Sequence, residues 1–515
     1  MTNVLFIVLD TQRRDRLSLY GHLRTTSPYL DDFATRMTVF DRAVAPAQWT
    51  IPAHASLFTG TYPSTHQFTQ ANHVLSGAFP TLAEILRLEG FHTVAFCNNP
   101  LVGILDNGLQ RGFDHFYNYA GASPNRPFDG AQNGTVAQLY KQFSQLARYV
   151  SNRFAHSDLL FRLSLHPFIT PVWSRTVNYK GNTARSTQDL ANYWHTHVSQ
   201  KKEPVFAYLN LMGTHMPLRP PQTYLDRFDP HLKHSRASWR WMSQYNGNGL
   251  RWISPREEPL EDWQSDVLGT FYDAEIAQQD HYVGQMLATL QANGDLDDTM
   301  VIIVADHGEG LGDHDYFGHS FVVYHELVHV PLMIYYPQRF PHKRVTTNVS
   351  TRRLFHTVLD VVGVKPPLPE NDPNADIERL SLHQSLNGKP DPEGGIAYSE
   401  AYPPSTLLNI LESKRSPLLA SKQLRQVRRG VYHGDYKLAM VGAQVEQLFN
   451  IAQDPSEQRD IAPQNDQVAQ NLKHLTQAFV QTASTHATPY SEDGNVQGDF
   501  SADVMENLRA LGYLE

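Results

Sequence analysis

The stretch Val4-Leu5-Phe6-Ile7-Val8-Leu9-Asp10 decides the fold. An unbroken apolar run of this length that stops at an acid reads as a central strand buried on both faces, since a strand with one wet face would alternate. It is far shorter than the roughly 20 residues a membrane-spanning helix needs. Met1-Thr2-Asn3 before it supplies neither a basic n-region nor a small-residue cleavage site, so a signal peptide is not expected. Similar short runs recur at residues 93–97, 205–212, 300–305 and 330–336. Between them lie amphipathic stretches at 81–89 and 271–292, the latter placing Ile276, Val283, Met286 and Leu287 near a helical period. Strands alternating with helices predict an α/β domain built on a mostly parallel sheet.

Two regions break that rhythm. Residues from about 118 to 202 read as a helical, aromatic insertion, and 217 to about 261 is rich in Pro, Trp and Arg, with Trp239, Arg240, Trp241 and Trp252. Both read as a lid packed over the sheet edge, or else as a binding wall for an extended or lipid-like substrate. A linker follows at 365–376, where Pro366, Pro367, Pro369 and Pro373 cluster with acidic residues. Beyond it, 428–441 and 444–451 look like short antiparallel strands. The expected division is a catalytic domain over 1–375 and a smaller α+β subdomain over 376–515.

Bulk composition excludes several classes. With 515 residues, 41 % hydrophobic and 18 % charged, the chain can bury a large core and is not globally disordered. A formal charge of −9 and the lack of a long Lys/Arg run argue against a nucleic-acid partner. The single cysteine, Cys97, rules out an intramolecular disulfide and fits a reducing compartment. A soluble, cytoplasmic protein without an integral membrane segment is expected, and homo-oligomerisation is left open.

In open α/β sheets, ligands bind outside the carboxyl ends of the strands. Three of the apolar runs end in metal-ligand or anion-binding residue types: Leu9-Asp10, Asn210-Leu211-Met212-Gly213-Thr214-His215, and Val304-Ala305-Asp306-His307-Gly308-Glu309. A fourth element is Gln48-Trp49-Thr50-Ile51-Pro52-Ala53-His54-Ala55-Ser56-Leu57-Phe58-Thr59-Gly60. Thr50 stands where an N-cap would, with Pro52 in the first helical turn. A hydroxyl there faces the positive end of the helix dipole, which favours an alkoxide and an incoming anion alike. The plainer reading is that Thr50 only caps its helix.

These segments, in this order, closely resemble the sulfatase family, a part of the alkaline phosphatase superfamily. Tyr272-Asp273-Ala274-Glu275-Ile276, Tyr324-His325-Glu326-Leu327-Val328-His329-Val330-Pro331-Leu332, Leu448-Phe449-Asn450-Ile451-Ala452-Gln453-Asp454-Pro455 and Leu508-Arg509-Ala510-Leu511-Gly512-Tyr513-Leu514 extend the resemblance nearly end to end, with the two insertions least covered. It implies an alkaline-phosphatase-like sheet sandwiched by helices and a hydrolase acting on phosphoric or sulfuric esters. The departures matter as much. Sulfatases carry a Cys or Ser that is oxidised to formylglycine, in a Cys-x-Pro-Ser-Arg motif; Thr50 and His54 occupy the nucleophile and Arg positions, and threonine cannot yield that aldehyde. Cys97 lacks the motif and cannot substitute. Thr11 stands where a second Asp is typical, and Gly318-His319 where a sulfate-binding Lys follows a Gly.

Threonine nucleophiles occur in the phospho-acting branches, and the phosphoethanolamine transferases share Asp-His-Gly-Glu with another His twelve positions after the first, as here from His307 to His319. Leu211 occupies the place of the Asp that the nucleotide phosphodiesterases use for a second metal. The resemblance therefore implies one divalent ion on Asp10, Thr50, Asp306 and His307. A mixed N/O set favours Zn²⁺ or Mn²⁺, with Ca²⁺ or Mg²⁺ also compatible, and a weak second metal at His215 and His319 is an alternative use of those residues. His215 and His319 are expected to bind non-bridging oxygens or protonate the leaving group. His54 would contact the substrate or bond to the backbone of its own helix. Asn72 aligns loosely with a substrate-binding Asn of related phosphonate hydrolases. His22 and Asn99 are further pocket candidates, and His314 a loop residue supporting the site. The leading expectation is a phosphodiesterase or phosphomonoesterase acting through Thr50 on a small or lipid-like anionic ester. The alternatives are a sulfatase working without formylglycine and a phosphoglycerol- or phosphoethanolamine-type transferase.

Overall fold

The computed structural model describes residues 2–121, 124–127, 163–164, 166, 168–170, 179–199, 203–253, 255–256, 258–368, 372, 374–386 and 390–487. Most of the first insertion, part of the proline-rich linker and the C-terminal stretch 508–514 lie outside the described residues.

Fifteen strands are assigned among the described residues: β1 Asn3–Leu9, β2 Thr38–Val44, β3 His92–Cys97, β4 His115–Asn118, β5 Val205–Leu211, β6 Thr299–Val304, β7 Gly310–Leu311, β8 Phe317–Gly318, β9 His329–Tyr335, β10 Lys343–Val345, β11 Val349–Ser350, β12 Ile396–Ala401, β13 Arg428–His433, β14 Tyr436–Val441 and β15 Gln444–Asn450. The main sheet runs β10-β2-β9-β6-β1-β5-β3-β4, with β11 paired to β2. From β6 through β1, β5 and β3 to β4 every pairing is parallel. β9 runs antiparallel to both β6 and β2. The apolar run at 330–336 is thus a strand, but a reversed one. The chain between β6 and β9 is spent on site loops and the β7–β8 hairpin, with no crossover helix of the kind that usually joins parallel neighbours.

β1 shows why its sequence is apolar throughout. Val4, Phe6 and Val8 pack on one side of the sheet, with Ile51, Ala55 and Phe58 of the helix Thr50–Thr59 and Leu354 and Val358 of the helix Leu354–Val362. Leu5, Ile7 and Leu9 pack on the other, with Leu30 and Phe33 of the helix Pro28–Ala34 and Val283, Met286 and Leu287 of the helix Asp262–Ala292. Alternate side chains of a strand point to opposite faces, so a central strand between two helical layers needs both sets apolar. The amphipathic stretch at 271–292 belongs to this long helix, which starts earlier, at Asp262. The stretch at 81–89 forms the helix Leu82–Leu88, with a capping box between Thr81 and Glu84.

Residues 217–261 fold as short helices, chiefly Gln222–Phe228 and Arg236–Asn246, on the first half of the helix Asp262–Ala292. Trp252 is buried in that contact and donates its indole N–H to the Tyr245 carbonyl at 2.8 Å. Its neighbour Trp239 keeps 38 % of its surface exposed, so only part of the tryptophan cluster is core. The smaller sheet, β12-β13-β14-β15, is antiparallel throughout, and the helix Asp466–His486 covers one face through Ala469 and Leu472. No helix among the described residues is long and apolar enough to cross a membrane.

Candidate active site

Four loops and one helix start bring the site together at the carboxyl ends of the parallel strands. Asp10 follows β1, Asn99 follows β3, Thr214 and His215 follow β5, and Asp306, His307 and Glu309 follow β6. Thr50 enters on the helix Thr50–Thr59. Trp49, in extended backbone, is the N-cap of that helix, so Thr50 is its first helical residue instead of the cap expected from sequence. The shift of one residue frees its hydroxyl. Thr50 Oγ1 lies 3.4 Å from His307 Nε2 and 3.5 Å from Asn99 Nδ2.

Asp10, Asp306 and His307 are fully buried, and each offers one ligand atom within 4.8 Å of the other two. Asp10 Oδ2 accepts from Asn99 Nδ2 at 2.5 Å and from Asn210 Nδ2 at 3.3 Å. Asp306 Oδ1 accepts the backbone N–H groups of His307 at 2.9 Å and Thr11 at 3.2 Å. The remaining oxygens, Asp10 Oδ1 and Asp306 Oδ2, are buried without a hydrogen bond. Burial, together with the neighbouring Asp306 charge, pushes the Asp10 carboxyl up to about 8, and burial raises Asp306 to about 7. Two adjacent carboxylates resist ionising together until a cation joins them. Orphaned anionic oxygens beside an imidazole lone pair fit a divalent metal, and the N/O donor set is one that transition metals accept.

The histidines are oriented by a shared device. A carbonyl can only accept, so the ring nitrogen facing it carries the proton. His307 Nδ1 donates to the Gly308 carbonyl at 2.9 Å, His215 Nδ1 to Met216 at 2.7 Å, and His54 Nδ1 to Thr50 at 2.9 Å. His319 Nδ1 binds Glu309 Oε1 at 2.9 Å. The proton on Nδ1 makes Nε2 the acceptor of each ring, the arrangement by which an outer partner fixes the tautomer of a ligand or base; His54 Nε2 faces Asn210 Nδ2 at 3.4 Å. Burial pushes His307 and His319 down to about 4 and His54 and His215 to about 3, holding them neutral. His319 stands 4.4 Å from His307 and 5.2 Å from His215 between ring centroids.

Among the residues singled out from sequence, Asp10, Thr50, His54, His215, Asp306, His307 and His319 come together here. His54 takes the bond to its own helix, and the same Nδ1 stands 3.4 Å from Asp306 Oδ2. Asn99 joins the site as a donor to Asp10. Asn72 lies exposed in a turn. His22 pairs with Asp273 at 3.2 Å, against the helix Asp262–Ala292. His314 bonds Glu326 at 3.0 Å from a left-handed position (φ 49°) in the loop after β7. Sequence reasoning missed the role of Glu309, although it stands in the Asp-His-Gly-Glu motif. Gly318 is required where it sits: at φ 71°, a Cβ would fall 1.8 Å from the Trp252 carbonyl. Cys97 is buried and its thiol pushed up by burial, so it is inert.

The family model described as Sulfatase matches residues 2–364. The chain belongs to the sulfatase family. Among relatives, it is 25 % identical to arylsulfatase K of Bos taurus over 98 % of this chain and 88 % of that protein. It is 22 % identical to an arylsulfatase of Clostridium perfringens over 75 % of this chain and 76 % of that one. In fold it is similar to a phosphonate monoester hydrolase of Agrobacterium radiobacter (TM-score 0.64, 21 % identity, 94 % of this chain and 96 % of that one). It is also similar to a protein solved with its substrate D-glucosamine-2-N,6-O-disulfate (TM-score 0.65, 18 % identity, 94 % and 98 %). This sulfatase-family chain is a hydrolase of sulfate or phosphate esters. Enzymes of the family bind a divalent metal, and Asp10, Asp306 and His307 form the matching acid/acid/imidazole group.

Proposed function

We propose that this protein hydrolyses phosphate esters, diester or monoester, through a covalent intermediate on Thr50. The observation that carries the reading is the place of Thr50 Oγ1: unused as a cap, at the start of a helix, and within 3.5 Å of both His307 and Asn99. The free N–H groups of that helix start favour an alkoxide and an approaching anion. Asp10, Asp306 and His307, with the Thr50 oxygen, would hold one divalent ion, Zn²⁺ or Mn²⁺ by their donor set. When bound, the ion supplies positive charge that eases deprotonation of the hydroxyl and draws charge from the transferring group.

Attack by Oγ1 forms the P–Oγ1 bond as the bond to the leaving oxygen breaks, and that oxygen takes up a proton. Water then cleaves P–Oγ1 and restores the threonine hydroxyl. His215 and His319, with Nδ1 committed to Met216 and Glu309, keep an Nε2 lone pair to accept a proton and pass it on. Phosphorus is favoured over sulfur because a threonine cannot become formylglycine and because His54 and His319 replace the Arg and Lys expected of sulfate binding. The family match and the arylsulfatase relatives favour a second reading, sulfate-ester cleavage by the same Thr50 oxygen.

Purified protein with Mn²⁺ or Zn²⁺ should cleave bis(4-nitrophenyl) phosphate or 4-nitrophenyl phosphate faster than 4-nitrophenyl sulfate. Thr50→Ala should lower that turnover by about 10⁴-fold or more. Sulfate esters cleaved with both phosphate esters untouched would move the assignment to sulfur, and full activity in Thr50→Ala would remove the covalent step.

A further inference from the structure

The first insertion, where the resemblance to the family is thinnest, returns to the site at a turn over residues 179–180. That turn is held on three sides. Lys180 Nζ donates to the Pro217 carbonyl at 3.1 Å, in the loop after β5, and to Glu275 Oε1 at 2.9 Å, on the helix Asp262–Ala292. Gly181 lies flat against Asn98 at the end of β3: at φ 62°, a Cβ there would stand 2.6 Å from Asn98 Cγ. The helix Thr183–Ser199 then begins at once. A backbone clamped in this way fixes where the Tyr179 ring goes.

The ring goes into the active site. Its edge meets His215 with centroids 5.7 Å apart and planes at 68°. His215 in turn meets His319, and His319 meets His307, so Tyr179 is the outer member of an aromatic wall leading to the metal-ligand group. Burial, then the charges of Asp10 and Glu309, push its phenol well above the ordinary range. A phenol is protonated at neutral pH by its ordinary value alone, so the hydroxyl that this ring carries is a donor. The cations near this wall are engaged elsewhere: Lys180 with Glu275, and Arg13 with Asp15 and Asp313. Among the described residues, the ion-pair partners of Asp306 and Glu309 are histidines. Lys180 and Arg13 are thus already paired, and the histidines beside Tyr179 present acceptor nitrogens, which leaves a neutral donor such as a phenol useful to a bound ester.

We propose that Tyr179 is a substrate-contacting residue, whose hydroxyl donates a hydrogen bond to a non-bridging oxygen of the tetrahedral ester group. This rests on the reading of the site as an ester hydrolase centre, but not on the covalent step. A single hydrogen bond from a neutral donor to a buried anion is worth about 1.5–3 kcal/mol, roughly 10- to 100-fold in affinity.

The test uses the full chain loaded with Mn²⁺ and reads the binding of inorganic phosphate, by the shift it causes in the unfolding midpoint. Tyr179→Phe keeps the ring, and should bind phosphate about 10- to 100-fold more weakly than wild type, each midpoint shift being read against the same variant without phosphate. Tyr179→Leu removes the ring as well, and should bind no better than Tyr179→Phe. The proposal is overturned if Tyr179→Phe binds phosphate like wild type, whatever Tyr179→Leu does, because packing alone would then be at work. It is also overturned if wild type binds no phosphate. Thr50→Ala separates the two readings: it should still bind phosphate and still lose affinity when Tyr179→Phe is added. If Thr50→Ala turns over like wild type, the covalent step falls and Tyr179 stands.

Discussion

Two buried charged clusters in this molecule are built on opposite plans. In the smaller sheet, Lys437 Nζ lies 2.6 Å from Glu457 Oε1, both fully buried, and Glu457 Oε2 accepts the His325 backbone N–H at 2.9 Å. The cation also lies against Tyr324 and Tyr432. Acid and base cancel within the protein. At the ends of β1 and β6, Asp10 and Asp306 face each other with neutral histidines around them, and among the described residues no Lys or Arg pairs with either. A self-neutralised pair is a structural joint; an unneutralised pair of acids is a site that works with something from outside. The difference teaches where to look for function: it is the net charge of a buried cluster, more than its size, that separates the two.

The same kind of substitution should therefore have opposite consequences in the two places. Asp306→Asn removes a proposed metal ligand and should lower ester turnover on the order of 10⁴-fold, while raising the unfolding midpoint of protein held in a chelator, since it relieves one of two crowded carboxylates. Glu457→Gln leaves Lys437 buried without a counter-charge and should destabilise by about 3–5 kcal/mol, with or without metal. Equal destabilisation by both variants in chelator would erase the distinction.

Titration sharpens it. The buried histidines of the site are depressed to about 3–4, so their contribution to stability is complete above their unfolded value near 6.5 and is lost only toward acid pH. The carboxyls of Asp10, Asp306 and Glu309 are raised to about 8, 7 and 7, so their contribution is present at low pH and is lost as pH rises through those values. Between about pH 6.5 and 8 only the second group acts, and metal-free protein should lose stability as pH rises. A divalent ion needs the ionised carboxylates, so its stabilisation should grow over the same range, reaching about 2.7 kcal/mol at one hundred times its dissociation constant. Parallel melts in chelator and in Mn²⁺ measure both slopes. A metal-free midpoint that climbs over this range would contradict the charge assignment.

How much of this was legible in the sequence follows from what a linear pattern encodes. The runs ending in Asp10 and Asp306 announce buried strands with acids at their ends, because burial on both faces demands apolar residues and the acid marks where the strand stops. The direction of β9 is invisible in the same code: His329–Tyr335 is as apolar as a parallel strand, and only the chain path from β6 reverses it. Thr50 was placed one residue early because Thr-x-Pro satisfies a cap and a first turn equally well, and Trp49 settles the matter through its extended backbone. Glu309 was in view without a role, since its partner His319 reaches it across the β7–β8 hairpin. Tyr179 had no local signal at all; its turn is set by contacts with Pro217, Glu275 and Asn98, distant in sequence.

The smallest expected effect tests the weakest of the sequence assignments. Asn72 and Asn99 are the same residue type on loops near the helix that carries Thr50, and sequence ranked Asn72 first. Asn99 is buried, its Oδ1 accepts the Leu101 N–H at 2.8 Å, and that bond turns its amide N–H groups toward Asp10 and Thr50. Asn72 is exposed, where water already satisfies an amide and a hydrogen bond to an anion gains little. Asn72→Ala should thus change kcat/KM by less than about twofold, the scale of a surface substitution of under 0.5 kcal/mol. A drop of tenfold or more would mean that the turn at residues 71–72 folds over the bound ester, and the boundary drawn here between the buried site and its surroundings would have to move outward to include it.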